Sequence, residues 1–437
     1  MLELISYKSA NKRIVILGFG LEGQSSLRFL NSGHLENEIV VIDRNPELWQ
    51  HSHIQELGVA SFGGEDYLQH LHHDDFIIKS PGVKLGEEFK GYRTHSQTSL
   101  FLERYREQTI GITGTKGKST TSTMIYQLLK DQSKEAFLVG NIGQPAFDLV
   151  EKINPKTWIV YELSAHQLQC VSFGPKYAIL LNLMPEHLDY FGNTELYYLA
   201  KLQIFNEQLM DSFSFVSPDY MDISKSLKSF KNTDPILKVE SGDITKNEEV
   251  ILKHTDLKYL LGHHHLMNIQ AVLELVMHLE LDLNTAIESI KTFHPLPHRQ
   301  EFLGDKNGLR FINDSISTIP QSAIQAVKAI GEVDYLILGG LDRGVDYSNL
   351  VDFLLGSSFQ KVFFLGEAGR RILDELQMKH RKTDFAYSLH DRLQEITEDL
   401  LNIKKGTVLL SPAAASYDAF VNFEERGRYF KEIFLKK

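Results

Sequence analysis

The segment 110–121 has the residue types and spacing of a phosphate-binding loop. It reads Ile-Gly-Ile-Thr-Gly-Thr-Lys-Gly-Lys-Ser-Thr-Thr, a hydrophobic strand end and a Gly-rich turn before a helix predicted over 121–129. Glycines let successive backbone N–H groups turn towards a phosphate, and the helix N-terminus adds partial positive charge. Lys118 would reach the outer phosphates and Ser119 would ligate Mg²⁺. The loop predicts nucleoside triphosphate chemistry in the shorter Gly-Thr-x-Gly-Lys-Ser-Thr form, because Ile112 replaces the first Gly of the general motif.

Polar side chains that could hold a metal ion follow two predicted strands. Glu162 directly follows the strand at 158–161, and His187 lies a few residues after the strand at 177–181. The carboxyl ends of parallel strands share one edge of a sheet with the phosphate loop. We therefore expect Glu162 and His187 to converge on Mg²⁺ beside Ser119. For His187 taken alone, a hydrogen-bonded structural role is an equally good interpretation.

The first segment of the chain carries a dinucleotide-binding fingerprint. Gly-x-Gly-x-x-Gly at 18–23 lies between strands predicted at 13–17 and 39–42, and Asp43 comes 20 positions after Gly23. Alone, this pattern indicates NAD and an oxidoreductase. However, only about 100 residues precede the phosphate loop, enough for a half-fold of four or five strands. The turn could instead hold the diphosphate of another nucleotide.

The positioning elements indicate three α/β domains. At 437 residues the chain is too long for one core. We predict a Rossmann-like N-terminal domain at 1–105, a central P-loop domain with a mostly parallel sheet at 106–297, and a Rossmann-like C-terminal α/β domain at 298–437. Asn307-Gly308 predicts a hairpin between short strands. Residues 212–256 look irregular and polar, with short strands, and no chemistry is predicted for them.

Composition excludes several functional classes. The formal net charge of −11 disfavours a general nucleic-acid or anionic-membrane binder. The single cysteine, Cys170, excludes an intramolecular disulfide and a Cys-based zinc cluster. The sequence shows neither a signal-peptide pattern nor an apolar run of membrane-spanning length. We expect a cytoplasmic, monomeric protein with no nucleic-acid or membrane partner.

The order of the motifs resembles that of the Mur ligases, over the whole chain. The motifs that carry the resemblance are Gly114-Thr-x-Gly-Lys-Ser-Thr, Gly140-Asn-Ile-Gly, Glu162-Leu-Ser, His187-Leu-Asp, Ala200-Lys, the helix start His264…Asn268, His298-Arg and Asn313-Asp-Ser. The C-terminal segments 410–418 and 423–427 favour the branch that joins glutamate to UDP-N-acetylmuramoyl-L-alanine in peptidoglycan precursor synthesis. Folylpolyglutamate synthases are a more remote alternative.

The resemblance implies a mechanism. ATP phosphorylates the substrate carboxylate, and the glutamate amine then attacks the acyl phosphate. Lys118 would neutralise the γ-phosphate, one Mg²⁺ would lie by Ser119 and Glu162, and a second by His187 and Lys201. The lysine that matches Lys201 is carbamylated by CO₂ in the family, which turns a cation into an oxygen ligand. On its chemistry alone, Lys201 is better explained as a surface lysine.

The resemblance also implies three sets of binding residues. The ATP contacts would be Gly114, Thr115, Lys116, Gly117, Lys118, Ser119, Thr120, Asn268, Arg299 and Asp314. The UDP-sugar contacts would be Gly20, Leu21, Gly23, Asp43, Arg44, Ser80, Asn141 and His187. The glutamate contacts would be Thr318, Arg343, Ser416, Tyr417 and Phe423.

Three positions depart from the family pattern. His265 replaces an Asn near the nucleotide, Ile316 replaces a Lys on the amino-acid side, and Arg343 replaces another Lys. An Arg can bind a carboxylate in bidentate fashion, so the glutamate pocket could be rebuilt. The run 314–318 resembles a subgroup that adds L-glutamate, and we expect that isomer. D-glutamate is the alternative, and neutral drift would also explain the changes.

Two other functional classes compete with a ligase. An NAD-dependent oxidoreductase would explain the fingerprint at 18–23 but not the phosphate loop. A motor-type P-loop ATPase would carry an acidic strand end in place of the set formed by Glu162, His187 and Lys201. Both explain fewer of the motifs than an amide-bond ligase does.

Overall fold

The computed structural model describes residues 1–33, 35–224, 235–260, 263–379, 383–400 and 403–435. The chain divides into two compact units. The first unit comprises Met1–Asp256 and His265–Ile290, and the second comprises Leu257–His264 and Lys291–Lys437. The sequence pattern at 262–279 predicts an amphipathic helix, and Gly262, its predicted first residue, lies outside the described residues.

The first unit begins with a five-stranded parallel sheet in the order β3-β2-β1-β4-β5. This agrees with the half-fold predicted from the short first segment. Its strands are β1 (Ile14–Leu17), β2 (Ile39–Asp43), β3 (Ala60–Gly63), β4 (Phe76–Lys79) and β5 (Thr94–His95). Its helices are α1 (Leu2–Lys8), α2 (Leu21–Ser32), α3 (Ser52–Leu57) and α4 (Gln97–Tyr105).

A second parallel sheet of the first unit has the order β10-β9-β6-β8-β7. Its strands are β6 (Thr109–Thr113), β7 (Ala136–Gly140), β8 (Trp158–Glu162), β9 (Tyr177–Leu180) and β10 (Phe213–Val216). The helices that follow in the chain are α5 (Lys118–Asp131), α6 (Ala165–Leu168), α7 (Leu188–Phe191), α8 (Thr194–Leu202), α9 (Met221–Ser224), α10 (His263–His278) and α11 (Leu283–Thr292).

One prediction for this region is wrong. Helix α5 begins at Lys118, three residues before the predicted start, because Gly117 adopts a positive φ of 84° and ends the turn there. The short strands predicted within 212–256 are confirmed: they are β10, a buried strand of the parallel sheet, and the three strands of a small antiparallel sheet. That small sheet consists of β11 (Leu237–Glu240), β12 (Asp243–Lys246) and β13 (Glu249–Leu252).

The second unit is built on a six-stranded sheet in the order β14-β15-β19-β16-β17-β18. The predicted hairpin is confirmed, since β14 and β15 pair antiparallel; the other pairs are parallel. The strands are β14 (Glu301–Lys306), β15 (Leu309–Asn313), β16 (Tyr335–Gly339), β17 (Lys361–Leu365), β18 (Ala386–His390) and β19 (Gly406–Leu410). The helices are α12 (Pro320–Ile330), α13 (Ser348–Leu355), α14 (Gly366–Lys379), α15 (Ile396–Leu400) and α16 (Phe423–Leu435).

None of the helices in the described part of the chain combines the length and apolar character needed to cross a membrane.

A buried hydroxyl pair joins the two parallel sheets of the first unit. Tyr161, on β8, and Thr98, on α4, are both buried, and their hydroxyl oxygens lie 3.0 Å apart. The ring of Tyr161 also meets Phe101 edge-on, with 5.7 Å between centroids. Because α4 follows the first sheet and β8 belongs to the second, this pair fixes one sheet against the other.

Removing both members of this pair should destabilise the first unit by less than the sum of the two single removals. We expect Tyr161→Phe to cost about 1–2 kcal/mol in the free energy of unfolding, because the Thr98 hydroxyl stays buried without its partner. The free energy of unfolding is measured by urea unfolding followed by tryptophan fluorescence. Both tryptophans, Trp49 and Trp158, lie in the first unit and therefore report on it. The matched variant Thr98→Val should lose a similar free energy of unfolding. The double variant should lose less than the two single variants added together. Strict additivity would contradict the proposed coupling.

Candidate active site

The phosphate loop is held in shape by its own lysine and by the neighbouring strand. The Nζ atom of Lys118 donates to the carbonyl oxygens of Gly114 and Thr115, both at 2.9 Å. Asn182, just after β9, accepts from the backbone N–H of Lys116 at 2.8 Å and donates to its carbonyl at 3.0 Å. Lys118 therefore curls over the loop, where a phosphate could take over its hydrogen bonds.

Asn268, a predicted ATP contact, lies against this loop. A Cβ added at Gly117 would come within 2.8 Å of both Nδ2 and Oδ1 of Asn268. Asn268 is buried on α10, and His265 lies one turn earlier on the same helix. Gly117 is thus required twice, once for its positive φ and once for the close approach of the Asn268 amide. Within the loop and the start of α5, Thr115, Ser119 and Thr120 are buried.

Glu162 ends β8 as a fully buried carboxylate. Its Oε1 accepts a hydrogen bond of 2.8 Å from Nδ2 of Asn141. Its Oε2 is also buried and accepts no hydrogen bond from any residue that the structure describes. A buried carboxylate oxygen without a partner is costly unless a cation or donor binds there. Glu162 therefore fits the predicted role of a Mg²⁺ ligand, whereas the amide of Asn141, predicted to bind the UDP-sugar, faces Glu162.

Lys201 is buried at the same edge of the sheet. Its side chain on α8 is 1% exposed, so its interpretation as a surface lysine is wrong. Its Nζ donates to the Gly114 carbonyl at 2.8 Å and lies 4.8 Å from the centroid of the Tyr197 ring. Burial and the nearby charge of Lys118 hold the pKa of the Lys201 amine well below its usual value. Lys201 is therefore easier to deprotonate than an exposed lysine, and its deprotonated form would carry a lone pair.

His187 is the N-cap residue of α7. It adopts a positive φ of 56°, is exposed, and its Nε2 lies 3.8 Å from Glu186. Glu186 in turn accepts from Nζ of Lys116 at 2.6 Å. No group of three or more His, Cys, Asp or Glu side chains is arranged for a metal ion within the described residues. The convergence of Glu162 and His187 on Mg²⁺ stays a prediction that depends on oxygen ligands from the substrates.

The Gly-rich turn of the first sheet opens α2 with its N-terminus uncapped by a side chain. Gly20 is the N-cap residue, and Leu21 is exposed. A Cβ at Gly23 would collide with the carbonyl of Gly18, which also accepts a hydrogen bond of 2.8 Å from Ser80. The turn is tight, and the first N–H groups of α2 can receive an anion.

The side chains after β2 shape this turn. The two carboxylate oxygens of Asp43 accept from the backbone N–H groups of Phe19, at 2.6 Å, and Asn45, at 2.8 Å. Arg44 forms an exposed ion pair with Glu65 at 2.9 Å. Asp43 thus holds the backbone of the turn, and Arg44 is available at the surface for a ligand.

Sequence reasoning missed a connection between the two sheets of the first unit at this site. Nε2 of Gln167 donates to Oε1 of Glu22 on α2 at 2.8 Å, and Oε1 of Gln167 accepts from the N–H of Ser164 at 2.9 Å. Ser164 caps α6 two residues after Glu162. The Ser-x-x-Gln capping pattern could have revealed Gln167, but its contact with Glu22 depends on the tertiary fold.

The predicted residues of the second unit lie at the carboxyl ends of its strands. Asp314 follows β15 and is buried, and it accepts from Oγ of Ser411 at 2.7 Å and from the N–H of Gln300 at 3.2 Å. Burial raises the pKa of Asp314 to about 6. The other predicted contacts vary in exposure: Ser416 is buried, Arg299, Thr318 and Phe423 are half-buried, and Arg343 and Tyr417 are exposed.

Comparisons with known proteins agree on one family. The family profile described as "Mur ligase middle domain" matches residues 112–276. A UDP-N-acetylmuramoylalanine–D-glutamate ligase of Caldicellulosiruptor bescii is 30% identical over 451 residues, which cover 96% of this chain and 97% of the relative. The enzyme of the same name from Geobacillus kaustophilus is 30% identical over 443 residues, with 96% of each chain covered.

Solved structures show the same fold. UDP-N-acetylmuramate-alanine ligase MurC from Thermotoga maritima aligns with a TM-score of 0.53 at 20% identity, covering 96% of this chain and 98% of that one. MurF ligase from Thermotoga maritima, in complex with ADP, aligns with a TM-score of 0.55 at 18% identity, covering 97% and 96%. The predicted α/β class with mostly parallel sheets is confirmed.

A substitution at Gly117 should weaken ATP binding beyond its effect on stability. We expect Gly117→Ala to raise the Kd for ATP about tenfold or more, because the methyl group strains a positive φ and displaces the amide of Asn268. Isothermal titration calorimetry measures the Kd. Gly331→Ala is the matched control, since Gly331 has a φ of 83° but open space around its Cβ position. Equal ATP affinity in the two variants would contradict the role of the Gly117–Asn268 contact.

Proposed function

Because the chain belongs to the Mur ligase family of ATP-dependent ligases that form carbon–nitrogen bonds, we propose that it joins glutamate to UDP-N-acetylmuramoyl-L-alanine. One observation carries the proposal: the ammonium groups of Lys118 and Lys201 both donate to the Gly114 carbonyl, one strand away from the buried carboxylate of Glu162. Acyl phosphate chemistry needs this combination of cations and a metal-binding carboxylate around a phosphate loop.

The reaction divides into two steps. A carboxylate oxygen of UDP-N-acetylmuramoyl-L-alanine attacks the γ-phosphorus of ATP, and the bond to the ADP oxygen breaks. The glutamate amine then attacks the acyl carbon, loses a proton, and expels phosphate as the amide forms. Lys118 exchanges its bonds to the Gly114 and Thr115 carbonyls for bonds to γ-phosphate oxygens. The N–H groups at the start of α5 support the same charge.

The residues at the loop fit a Mg²⁺ ion. Ser119 and the partnerless Oε2 of Glu162 would hold it, and the ion would neutralise phosphate charge during transfer. Asn141 would keep the Glu162 carboxylate oriented through its hydrogen bond to Oε1. His187 would contribute to a second ion together with Lys201 in its carbamylated form.

Burial of the Lys201 amine supports its carbamylation. The neutral Nζ attacks the carbon of CO₂, an N–C bond forms, one C=O electron pair moves to oxygen, and Nζ releases a proton. The product is an anion, and the nearby charges of Lys118 and Lys116 would stabilise it. The adjacent Tyr197 ring restricts the position of the side chain.

The nucleotide ends of the two substrates would bind at separate loops. The uncapped start of α2, with Gly20, Leu21 and Gly23, would receive the diphosphate of the UDP-sugar, and Arg44 and Ser80 would flank it. Asn268 in the first unit, and Arg299 and Asp314 in the second, are the further proposed ATP contacts. The division into domains at 105/106 and 297/298 is likewise part of the proposal.

Two lines of evidence bear on the glutamate isomer, and they point in opposite directions. The curated relatives are named D-glutamate ligases and give no support to L-glutamate. In contrast, Ile316 removes the lysine of the D-glutamate pattern, and Arg343 changes a second cation. We propose L-glutamate on these two substitutions, with D-glutamate as the competing substrate.

Phosphate release identifies the amino acid directly. With ATP, Mg²⁺ and UDP-N-acetylmuramoyl-L-alanine, we expect release with L-glutamate and little with D-glutamate. The control mixture lacks the UDP-sugar and should release no phosphate. Phosphate release with D-glutamate alone would contradict the proposed isomer but would still support the proposed ligase activity. If neither isomer causes phosphate release while ATP still binds, UDP-N-acetylmuramoyl-L-alanine is not the substrate.

Replacement of Lys201 separates a carbamate from a simple cation. We expect Lys201→Ala to lose turnover by about 100-fold or more, with partial recovery in a short carboxylic acid that supplies the missing oxygens. Lys201→Arg is the matched variant, because it keeps the positive charge but cannot be carbamylated, and it should also be inactive. Carbon-13 NMR of the protein under labelled CO₂ should show a carbamate signal that Lys201→Ala lacks. Full activity of Lys201→Arg would contradict the carbamate.

A further inference from the structure

Arg426 is buried in the second unit at the start of α16. Its side chain is 1% exposed. Nε and Nη2 donate to Oγ and to the carbonyl of Ser315, at 3.0 and 2.9 Å. Nη1 donates to the carbonyls of Ala414 and Ala415, at 3.1 and 3.2 Å. One guanidinium therefore joins two segments that are about 100 positions apart in the chain.

The positive charge of Arg426 is not neutralised by its hydrogen-bond partners. All four acceptors are carbonyl or hydroxyl oxygens, and no carboxylate from the described part of the chain forms an ion pair with the guanidinium. Burial lowers the pKa of Arg426 to about 10, while the charge of Asp418 opposes that shift. The side chain remains a cation at neutral pH, held in a medium that screens it poorly.

Arg426 contacts the loops that follow three neighbouring strands. Ser315 follows β15, and Ala414 and Ala415 follow β19. Gly340 follows β16, and a Cβ there would lie 3.1 Å from Nη1 and collide with the Ala415 carbonyl. The N–H of Leu341 donates to that carbonyl at 3.0 Å, which fastens the third loop to the second.

The proposed glutamate contacts lie on these same segments. Thr318 follows Ser315, Arg343 follows Gly340, Ser416 directly follows Ala415, and Phe423 begins α16. The carbonyl of Phe423 accepts a 2.8 Å hydrogen bond from Oγ of Ser315, which also binds Arg426. The segments that carry the proposed glutamate contacts are therefore joined to one another through Arg426 and Ser315. Glutamate is a dicarboxylate, so a positive charge near these segments would favour its binding.

We propose that Arg426 is a positioning residue for the incoming dicarboxylic amino acid. It holds the loops after β15, β16 and β19 in one arrangement and supplies a fixed positive charge behind them. This inference rests on the proposed function and concerns the glutamate half of that reaction.

Steady-state kinetics of Arg426→Met and Arg426→Lys test the proposal. In Arg426→Met we expect the KM for glutamate to rise roughly tenfold to hundredfold, because a charge-assisted set of hydrogen bonds is lost. The KM values for ATP and the UDP-sugar should stay unchanged, and kcat at saturating glutamate should fall about threefold at most. Arg426→Lys keeps the charge with fewer donors and should show a smaller rise. If Arg426→Met does not fold, the lysine variant carries the test.

Two controls on the same helix separate positioning from general destabilisation. Phe430→Leu alters a buried ring that packs on Phe434 at 4.8 Å, and it should lower Tm without raising the KM for glutamate. Arg428→Met removes an exposed charge and should change neither Tm nor the KM for glutamate. The inference about Arg426 is overturned if Arg426→Met raises all three KM values alike or leaves the KM for glutamate unchanged. Neither result would contradict the proposed function. An unaltered protein that uses neither glutamate isomer overturns the proposed function itself.

Discussion

The carbonyl oxygen of Gly114 is the point on which the proposed active site depends. It accepts hydrogen bonds from two lysine ammonium groups, Lys118 at 2.9 Å and Lys201 at 2.8 Å, in a loop that is largely buried. Two cations that share one neutral acceptor repel each other, and burial makes that repulsion stronger. The arrangement is relieved when anions arrive or when one amine is neutral. Under the proposed function, phosphate binding through Lys118 and carbamylation of Lys201 would both relieve this electrostatic cost.

The carboxyl edges of the two parallel sheets of the first unit and of the mostly parallel sheet of the second unit position most of the proposed binding groups. Gly20 and Ser80 follow β1 and β4, the phosphate loop and Glu162 follow β6 and β8, and Ser315 and Ser416 follow β15 and β19. Open parallel sheets bind ligands at this edge because strand ends and helix starts meet there. At each edge backbone N–H groups or buried side chains hold the loop before a ligand arrives, as Asp43, Asn182 and Arg426 do. Preorganised loops of this kind reduce the ordering cost of binding.

The sequence predicted features that depend on local chemistry. The strand-turn-helix at Gly114, the hairpin at Asn307-Gly308 and the half-fold of the first sheet need only spacing and glycines. It predicted short strands within 212–256 but not that β10 joins the parallel sheet, because that role is recognised only from its pairing with β9. The burial of Lys201 and the hydrogen bond from Gln167 to Glu22 were not predicted either, because each depends on elements that are distant in the chain. Arg426 was visible only as part of a motif, and its four acceptors come from segments that sequence order does not bring together.

Lys201 and Arg426 are both fully buried, and they show how side-chain chemistry would divide the work of the two units under the proposed function. Desolvation lowers the pKa of both, but from different starting values. A lysine amine can become neutral and act as a nucleophile, so burial prepares Lys201 for modification. An arginine remains charged even when its pKa falls to about 10, and its fixed fork can hold several carbonyls at once. Under the proposed function, the phosphoryl-transfer site would use a cation that can be converted, and the amino-acid site one that is permanent. Exchange of the two residue types would remove the function of both positions, because a buried arginine cannot be carbamylated and a lysine cannot bridge Ser315 to Ala414 and Ala415 with the same geometry.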